Sequence, residues 1–412
     1  MSSFWHPFAE MSKVKVDPFI VDRGEGIYVF DEQGKRYLDA AASLWYMNIG
    51  YGRDEVIDKM DEQMRKLPAF HAFIDYGTRP PMELAAQIAS VSPDPNSKVF
   101  FGSGGSDAID TAAKMARRYF NAIGQPERTV FISREWGYHG MHSYGTALGG
   151  METNSQGYGG DLVSDVVKVP YDDAEAVEKA IDHAGADRIA GIFVEAVIGA
   201  GGIRPVDQNY LTAIRQSVRD AGALYVSDEV ITGFGRVGDW FAANLYDLQP
   251  DLITFAKGVT SGYAPLGGVV AASHIAEPFF NQAGLIFRHG YTYSGHTTAC
   301  VAGLAVMEIL EREGLLQRGN ELENELYNAL LPLEELDVVD NIRRGVGALA
   351  AVQLVVGDDD TLPARAAAAC REAGVLTRAM GGGALQVSPP LTMTNDQAQE
   401  MGSLFETGLR SL

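Results

Sequence analysis

Hydrophobic and polar positions change their rhythm along this chain, and the change predicts two kinds of architecture. Short runs rich in β-branched and aromatic residues stand at 99–101, 130–132, 166–169, 191–197, 224–230 and 252–256. Between them lie stretches of helical period such as 106–119 and 211–221. Apolar runs without alternation are strands buried on both faces, and strand–helix alternation builds a mostly parallel sheet covered by helices. The central part is therefore expected to be α/β. Further on, a helical pattern over 298–312 and a Glu-rich helix near 321–330 precede strand-like stretches at 342–356 and 385–387. That order suits a smaller α+β unit. Near the start, Ile27-Tyr28-Val29-Phe30 and Lys35-Arg36-Tyr37-Leu38 flank Asp31-Glu32-Gln33-Gly34, a hairpin signal. The expected division is 1–45, joining the small domain in space, 46–305 as the large domain, and 306–412 as the small C-terminal domain.

Composition narrows the classes of function. At 412 residues, with 46% of them hydrophobic, the chain exceeds one small core and is not of a disordered type. A formal net charge of −21 repels polyanions, so nucleic acid and anionic membranes are not expected partners. No apolar run has the length of a bilayer span, and the start lacks the basic-then-apolar pattern of a signal peptide. Cys300 and Cys370 have neither a disulfide framework nor metal-site spacing, which points to a cytoplasmic protein without a metal. Cys300 opens an apolar helix pattern and reads as core.

Candidate chemistry lies in loops that follow predicted strands. Gly102-Ser103-Gly104-Gly105-Ser106-Asp107 joins a strand to a helix, where free backbone N–H groups cradle phosphate. An ordinary N-cap at Ser106 or Asp107 gives the same pattern. Ser227-Asp228-Glu229-Val230 puts acids at the carboxyl end of a strand, the edge where α/β sheets bind ligands. Asp228 in that place suits a protonated pyridine nitrogen, although plain loop acids fit as well. In Thr254-Phe255-Ala256-Lys257-Gly258 a lysine ends a buried strand, a costly position unless the amine is used. Trp136-Gly137-Tyr138-His139-Gly140 is a turn whose Tyr138 could stack on a flat ring. Each feature alone also fits packing or solvation, whereas jointly they point to a cofactor enzyme.

In this order and context the motifs resemble the class III aminotransferases, the pyridoxal-5′-phosphate (PLP) enzymes that include the ω-transaminases. The resemblance runs from Trp5-His6-Pro7-Phe8 to Pro389-Pro390-Leu391. It is most specific in Asp228-Glu229-Val230-Ile231-Thr232-Gly233-Phe234-Gly235-Arg236 and Ala256-Lys257-Gly258. It implies a PLP-dependent transferase of fold type I, with a PLP-binding large domain and a smaller α+β domain. It also implies roles. Lys257 would carry the cofactor covalently, and Asp228 would pair with its ring nitrogen. Val230 and Tyr138 would cover the two ring faces, and Gly105 and Ser106 would hold the phosphate. Thr292, within His289-Gly290-Tyr291-Thr292-Tyr293-Ser294-Gly295-His296, would reach the phosphate of a neighbouring subunit, so a homodimer or homotetramer with shared sites is expected. Glu195 matches a glutamate near the cofactor. Two positions depart from the family pattern: Ala196-Val197 stands where many relatives have a proline, and Gly104 replaces a serine that would add a phosphate hydrogen bond.

On the substrate side, Trp45 matches a pocket aromatic of amine:pyruvate-type enzymes. Phe8, and Phe70 or Phe73, would extend an apolar wall. Arg378 matches an arginine that grips a carboxylate and swings aside for an uncharged group. Ornithine- and γ-aminobutyrate-type members keep an arginine and a gating glutamate where this chain has Gln386 and Ala200. That favours pyruvate over 2-oxoglutarate as acceptor of the amino group from a primary amine or ω-amino acid. A diaminopelargonate-type activity ranks lower, because Met141 stands where that enzyme has an acid. An aminomutase or racemase, and a non-catalytic ligand-binding protein, are the alternatives outside transamination.

Overall fold

The runs that read as buried strands become one seven-stranded sheet. Its members in chain order are β1 (Lys98–Gly102), β2 (Val130–Arg134), β3 (Val166–Val169), β4 (Ile189–Val194), β5 (Leu224–Asp228), β6 (Leu252–Phe255) and β7 (Gly267–Ala271). The computed structural model describes residues 3–14 and 18–412. In space the strands run β1-β7-β6-β5-β4-β2-β3. All are parallel except β7, which is antiparallel to both neighbours. Because β7 is reversed twice over, β1 points the same way as β6, and the carboxyl ends of all the parallel strands share one edge.

Both faces of this sheet are covered, which explains why its central strands are buried at every position and mostly apolar. Helix Gly105–Ala122 lays Ala108, Ile109, Ala112, Ala113, Met115, Ala116 and Phe120 against it, at helical spacing. The small alanines let the helix approach closely. Strand β7 has no apolar run at its start, since it opens on two glycines. A Cβ on Gly268 would meet the Phe255 ring at 2.9 Å, and one on Gly267 would meet the Gly104 carbonyl oxygen at 2.7 Å. Close packing here requires glycine and hides the strand from propensity.

A second, four-stranded sheet joins both ends of the chain. Val21–Glu25, Tyr28–Asp31 and Arg36–Asp39 form an antiparallel meander, and Val375–Leu376 adds to it in parallel. The hairpin turn is closed by the Asp31 carboxylate, which accepts from the backbone of Gln33 and Lys35 at 3.0 and 2.9 Å. The third sheet is Val339–Arg344, Ala350–Leu354, Ala384–Val387 and Ala379–Met380. The expected single strand-like stretch at 342–356 is thus two antiparallel strands. The turn between them contains Gly347 at φ 60°, where a Cβ would meet the Arg236 carbonyl oxygen at 2.6 Å. Cys300 and Cys370 are both buried and free. Among the described residues no helix is long and apolar enough to cross a membrane.

Candidate active site

The carboxyl edge of the large sheet opens into a cavity of about 460 Å³. Its lining includes Gly105 and Ser106 after β1, Tyr138 and His139 after β2, and Glu195 after β4. Asp228 at the end of β5, Val230 beyond it, and Lys257 after β6 complete the set. Residues scattered over 150 positions of sequence are gathered because strand ends on one edge are neighbours.

Lys257 follows β6 at φ 46°, a left-handed conformation that costs a non-glycine residue energy and is kept where surrounding structure over-determines it. Some of its surface faces the cavity. Among the described residues it has no ion-pair partner, and its ammonium lies 5.7 Å from the centre of the Trp45 ring. Burial brings its pKa down to about 8, with Asp228 and Glu195 pulling it up and the Arg378 charge pushing it further down.

Asp228 is buried and held from three sides. Its Oδ1 accepts from the Val230 N–H and the Thr254 hydroxyl, each at 3.1 Å, and its Oδ2 meets His139 Nδ1 at 2.7 Å. Nothing in the amino-acid sequence singles out His139 beyond its place beside Tyr138. It is 2% exposed and lies against the Phe193 ring. Glu195 flanks the same imidazole. Its Oε1 accepts from the Tyr138 N–H at 2.9 Å and its Oε2 from the Gly199 N–H at 3.0 Å. Burial raises the Glu195 pKa, His139 opposes that rise and Asp228 adds to it.

The loop after β1 curls because Asp107 Oδ2 accepts from the Ser103 N–H at 2.7 Å. The first intrahelical bond runs from Ala108 N–H to the Gly104 carbonyl at 3.1 Å. The N–H groups of Gly105, Ser106 and Asp107 are left without intrahelical partners, an arrangement that suits an anion. A Cβ on Gly105 would meet Val230 Cγ1 at 2.9 Å, so only glycine lets this turn sit against Val230. Ser106 Oγ accepts from the Met141 N–H at 3.1 Å.

Trp45 is 3% exposed, and the Arg378 guanidinium lies over its ring at 4.6 Å. Burial lowers the Arg378 pKa, and the Tyr138 phenol partly offsets this. Arg378 Nε is buried without a hydrogen-bond partner among the described residues. Gln386 is fully buried, and its Nε2 donates to the Ala41 carbonyl at 3.0 Å and to Ser388 Oγ at 2.7 Å. Trp45 and Arg378 are themselves outside the lining of this cavity, Arg378 lining a second one, and other sequence candidates are not brought to it either. Phe8 is 75% exposed and outside the lining, and Phe70 and Phe73 are exposed too. Thr292 is exposed, on a segment pinned to helix Gly105–Ala122 where His289 Nε2 meets Thr111 Oγ1 at 2.8 Å.

Residues 11–409 of the chain match the family described as Aminotransferase class-III. A putrescine–pyruvate aminotransferase from Pseudomonas aeruginosa is 36% identical, over 93% of this chain and 89% of that protein. A mitochondrial γ-aminobutyrate transaminase from Oryza sativa subsp. japonica is 30% identical, over 98% of this chain and 84% of the relative. Among solved structures, a PLP-bound amine transaminase from an uncultivated Pseudomonas species superposes with a TM-score of 0.94. It is 35% identical and covers 100% of this chain and 99% of that one.

Proposed function

The chain belongs to the class-III aminotransferases, whose cofactor is pyridoxal 5′-phosphate, and we propose that it moves an amino group from a primary amine or ω-amino acid to pyruvate. The products are a ketone or aldehyde and alanine. The observation that carries the choice of acceptor is the state of Gln386. Its amide is fully buried and bonded to the Ala41 carbonyl, so it offers no cation to a second carboxylate. Ala200 is apolar and buried as well. Arg378 remains as the cation beside Trp45, with one donor nitrogen that a single keto-acid carboxylate would satisfy.

The residues fit the cofactor. Lys257 is a buried amine with no direct ion-pair partner among the described residues, and a covalent link to an aldehyde would remove its charge. Unpaired N–H groups at Gly105 and Ser106, together with the Ser106 hydroxyl, would hold the phosphate. Asp228 would hold the ring nitrogen protonated, and Val230 and Tyr138 would sandwich the ring. When bound, PLP supplies an electron-withdrawing ring that accepts the charge of a deprotonated substrate carbon.

Lys257 Nζ would take the proton from the carbon that bears the substrate amine and then, as an acid, deliver it to the C4′ carbon of the cofactor. A pKa lowered to about 8 by burial leaves part of this amine unprotonated near neutral pH, as a base requires. His139 keeps Asp228 oriented. An ionised carboxylate only accepts, so the proton of their bond sits on Nδ1. Tyr138, in the cavity lining, would exclude water on the amine's side, with Trp45 packed beside Lys257. Thr292, exposed in its own chain, would complete the phosphate site of a second subunit, and a homodimer or homotetramer follows.

A panel of amines tested against pyruvate and against 2-oxoglutarate checks this reading. Stoichiometric alanine from pyruvate supports it, and glutamate formed faster from 2-oxoglutarate overturns the choice of acceptor.

A further inference from the structure

The cofactor cavity and a second cavity of about 580 Å³ share one wall, the segment 41–46. Leu44 and Tyr46 line the first, while Ala41, Ser43 and Tyr46 line the second. In that wall Ala42, Ser43 and Trp45 hold φ of 45°, 56° and 64°. Non-glycine residues leave the left-handed region unless neighbouring structure holds them there. Asp39 does so from within the chain. Its Oδ1 accepts from the Ala41 N–H at 3.0 Å, and its Oδ2 accepts from the Ser43 N–H at 2.6 Å and the Tyr51 hydroxyl at 2.7 Å. From the C-terminal side, Gln386 Nε2 bonds the Ala41 carbonyl at 3.0 Å, and the Ser388 N–H bonds the Ala40 carbonyl at 2.7 Å. Trp45, near the end of this segment, thereby stands beside both Lys257 and Arg378, whose cationic ends lie 5.7 and 4.6 Å from its ring centre.

We propose that Asp39, locked by Tyr51 and assisted by Gln386, is a positioning residue that holds the left-handed wall and so sets the size of amine the cofactor cavity admits. The proposal rests on the reading of the segment 41–46, with Leu44 and Tyr46 in the cavity lining, as the wall that faces the amine. It concerns no contact between Asp39 and substrate, only the carboxylate's bonds to Ala41, Ser43 and Tyr51.

Two readouts separate the brace from the reading of the pocket. Hydrogen exchange of apo-protein peptides spanning 40–47 reads the brace without cofactor or substrate. The half-reaction of holoenzyme with a small aliphatic amine and with a bulky aromatic amine, followed by cofactor absorbance, reads selectivity. It needs no acceptor, so the identity of the keto acid does not enter. Asp39→Asn is expected to speed exchange at the Ala41 and Ser43 amides about tenfold. It is also expected to shrink discrimination between the two amines about fivefold. Tyr51→Phe, which deletes one hydroxyl and keeps the fold, should move both readouts the same way by less. Adding Ala42→Gly to Asp39→Asn should recover part of the discrimination, because glycine holds a positive φ without strain. Unchanged exchange in both single variants overturns the proposal at the brace. Faster exchange with unchanged discrimination, or equal loss with both amines and no recovery by Ala42→Gly, overturns it at the reading of this segment as the amine-facing wall.

Discussion

His139 Nδ1 and Asp228 Oδ2 stand 2.7 Å apart in a pair that is almost fully buried, and this bond ties the turn after β2 to the end of β5. The imidazole leaves one oxygen of Asp228 committed and the other shared between Val230 and Thr254. His139→Phe keeps a ring in the same space but removes the partner of a buried carboxylate. Leaving such a group unpaired costs about 1–3 kcal/mol. The expected result is a holoenzyme that releases cofactor faster while still binding it at Lys257, measured by dialysis against buffer and absorbance. Asp228→Asn should lower turnover about a hundredfold or more while the fold persists, since the amide cannot hold a positive ring nitrogen.

In the proposed role Arg378 would give a substrate carboxylate a charge-assisted partner, whereas an amine without a carboxylate would gain none from it. Arg378→Ala is expected to raise the KM for pyruvate about 10- to 100-fold, in line with the loss of a charge-assisted bond. The KM for a simple aromatic amine should change by less than about threefold. Steady-state kinetics with each substrate varied separately checks this, and equal effects on both would speak against a carboxylate role.

The Lys257 amine gives the apo-protein a pH signature. Its folded pKa is lowered to about 8, below the value of about 10.4 that it takes in an unfolded chain. Below pH 8 both states hold the proton, and the folded chain bears the whole cost of burying the charge. Between the two values the unfolded chain holds more protons, so stability rises with pH in that window. Lys257→Met removes the buried charge. It should therefore stabilise the apo-protein by about 1–2 kcal/mol near pH 7, with the gain fading by about pH 10. Denaturant unfolding of both proteins at the two pH values measures this.

Gln386 is tied to Ala41, so placing an arginine there does not simply recreate a second carboxylate site. Gln386→Arg is expected to destabilise the protein by about 1–3 kcal/mol, because a charge replaces a bonded amide in a space closed to water. It should not confer efficient use of 2-oxoglutarate. Thermal unfolding and acceptor kinetics check both halves.

How much of this was legible in the amino-acid sequence follows from locality. The central strands β2, β4, β5 and β6 are visible because two-sided burial demands mostly apolar runs, and the loops after β1, β5 and β6 are visible because phosphate and lysine chemistry have local signatures. Strand β7 is not visible, since its glycines answer to the Phe255 ring and the Gly104 carbonyl, contacts between distant segments. The stretch at 342–356 shows its apolar content but not its turn, which depends on the approach of Gly347 to the Arg236 carbonyl. His139 carries no local mark. Its meaning comes from Asp228, 89 positions away in the chain. Asp39 is hidden in the same way, as an acid in a strand whose carboxylate serves the backbone that follows it. Phe8 illustrates the converse, an aromatic in a telling motif that the fold of one chain leaves exposed and outside the cavity.

The central claim is that one lysine side chain, Lys257, carries the cofactor. Borohydride reduction of freshly loaded enzyme, followed by digestion and peptide mass mapping, tests it most directly. The account predicts a single pyridoxyl-phosphate adduct on the peptide containing Lys257, absent from Lys257→Ala, which should also lack turnover. An adduct on another lysine, or full turnover by Lys257→Ala, would contradict it.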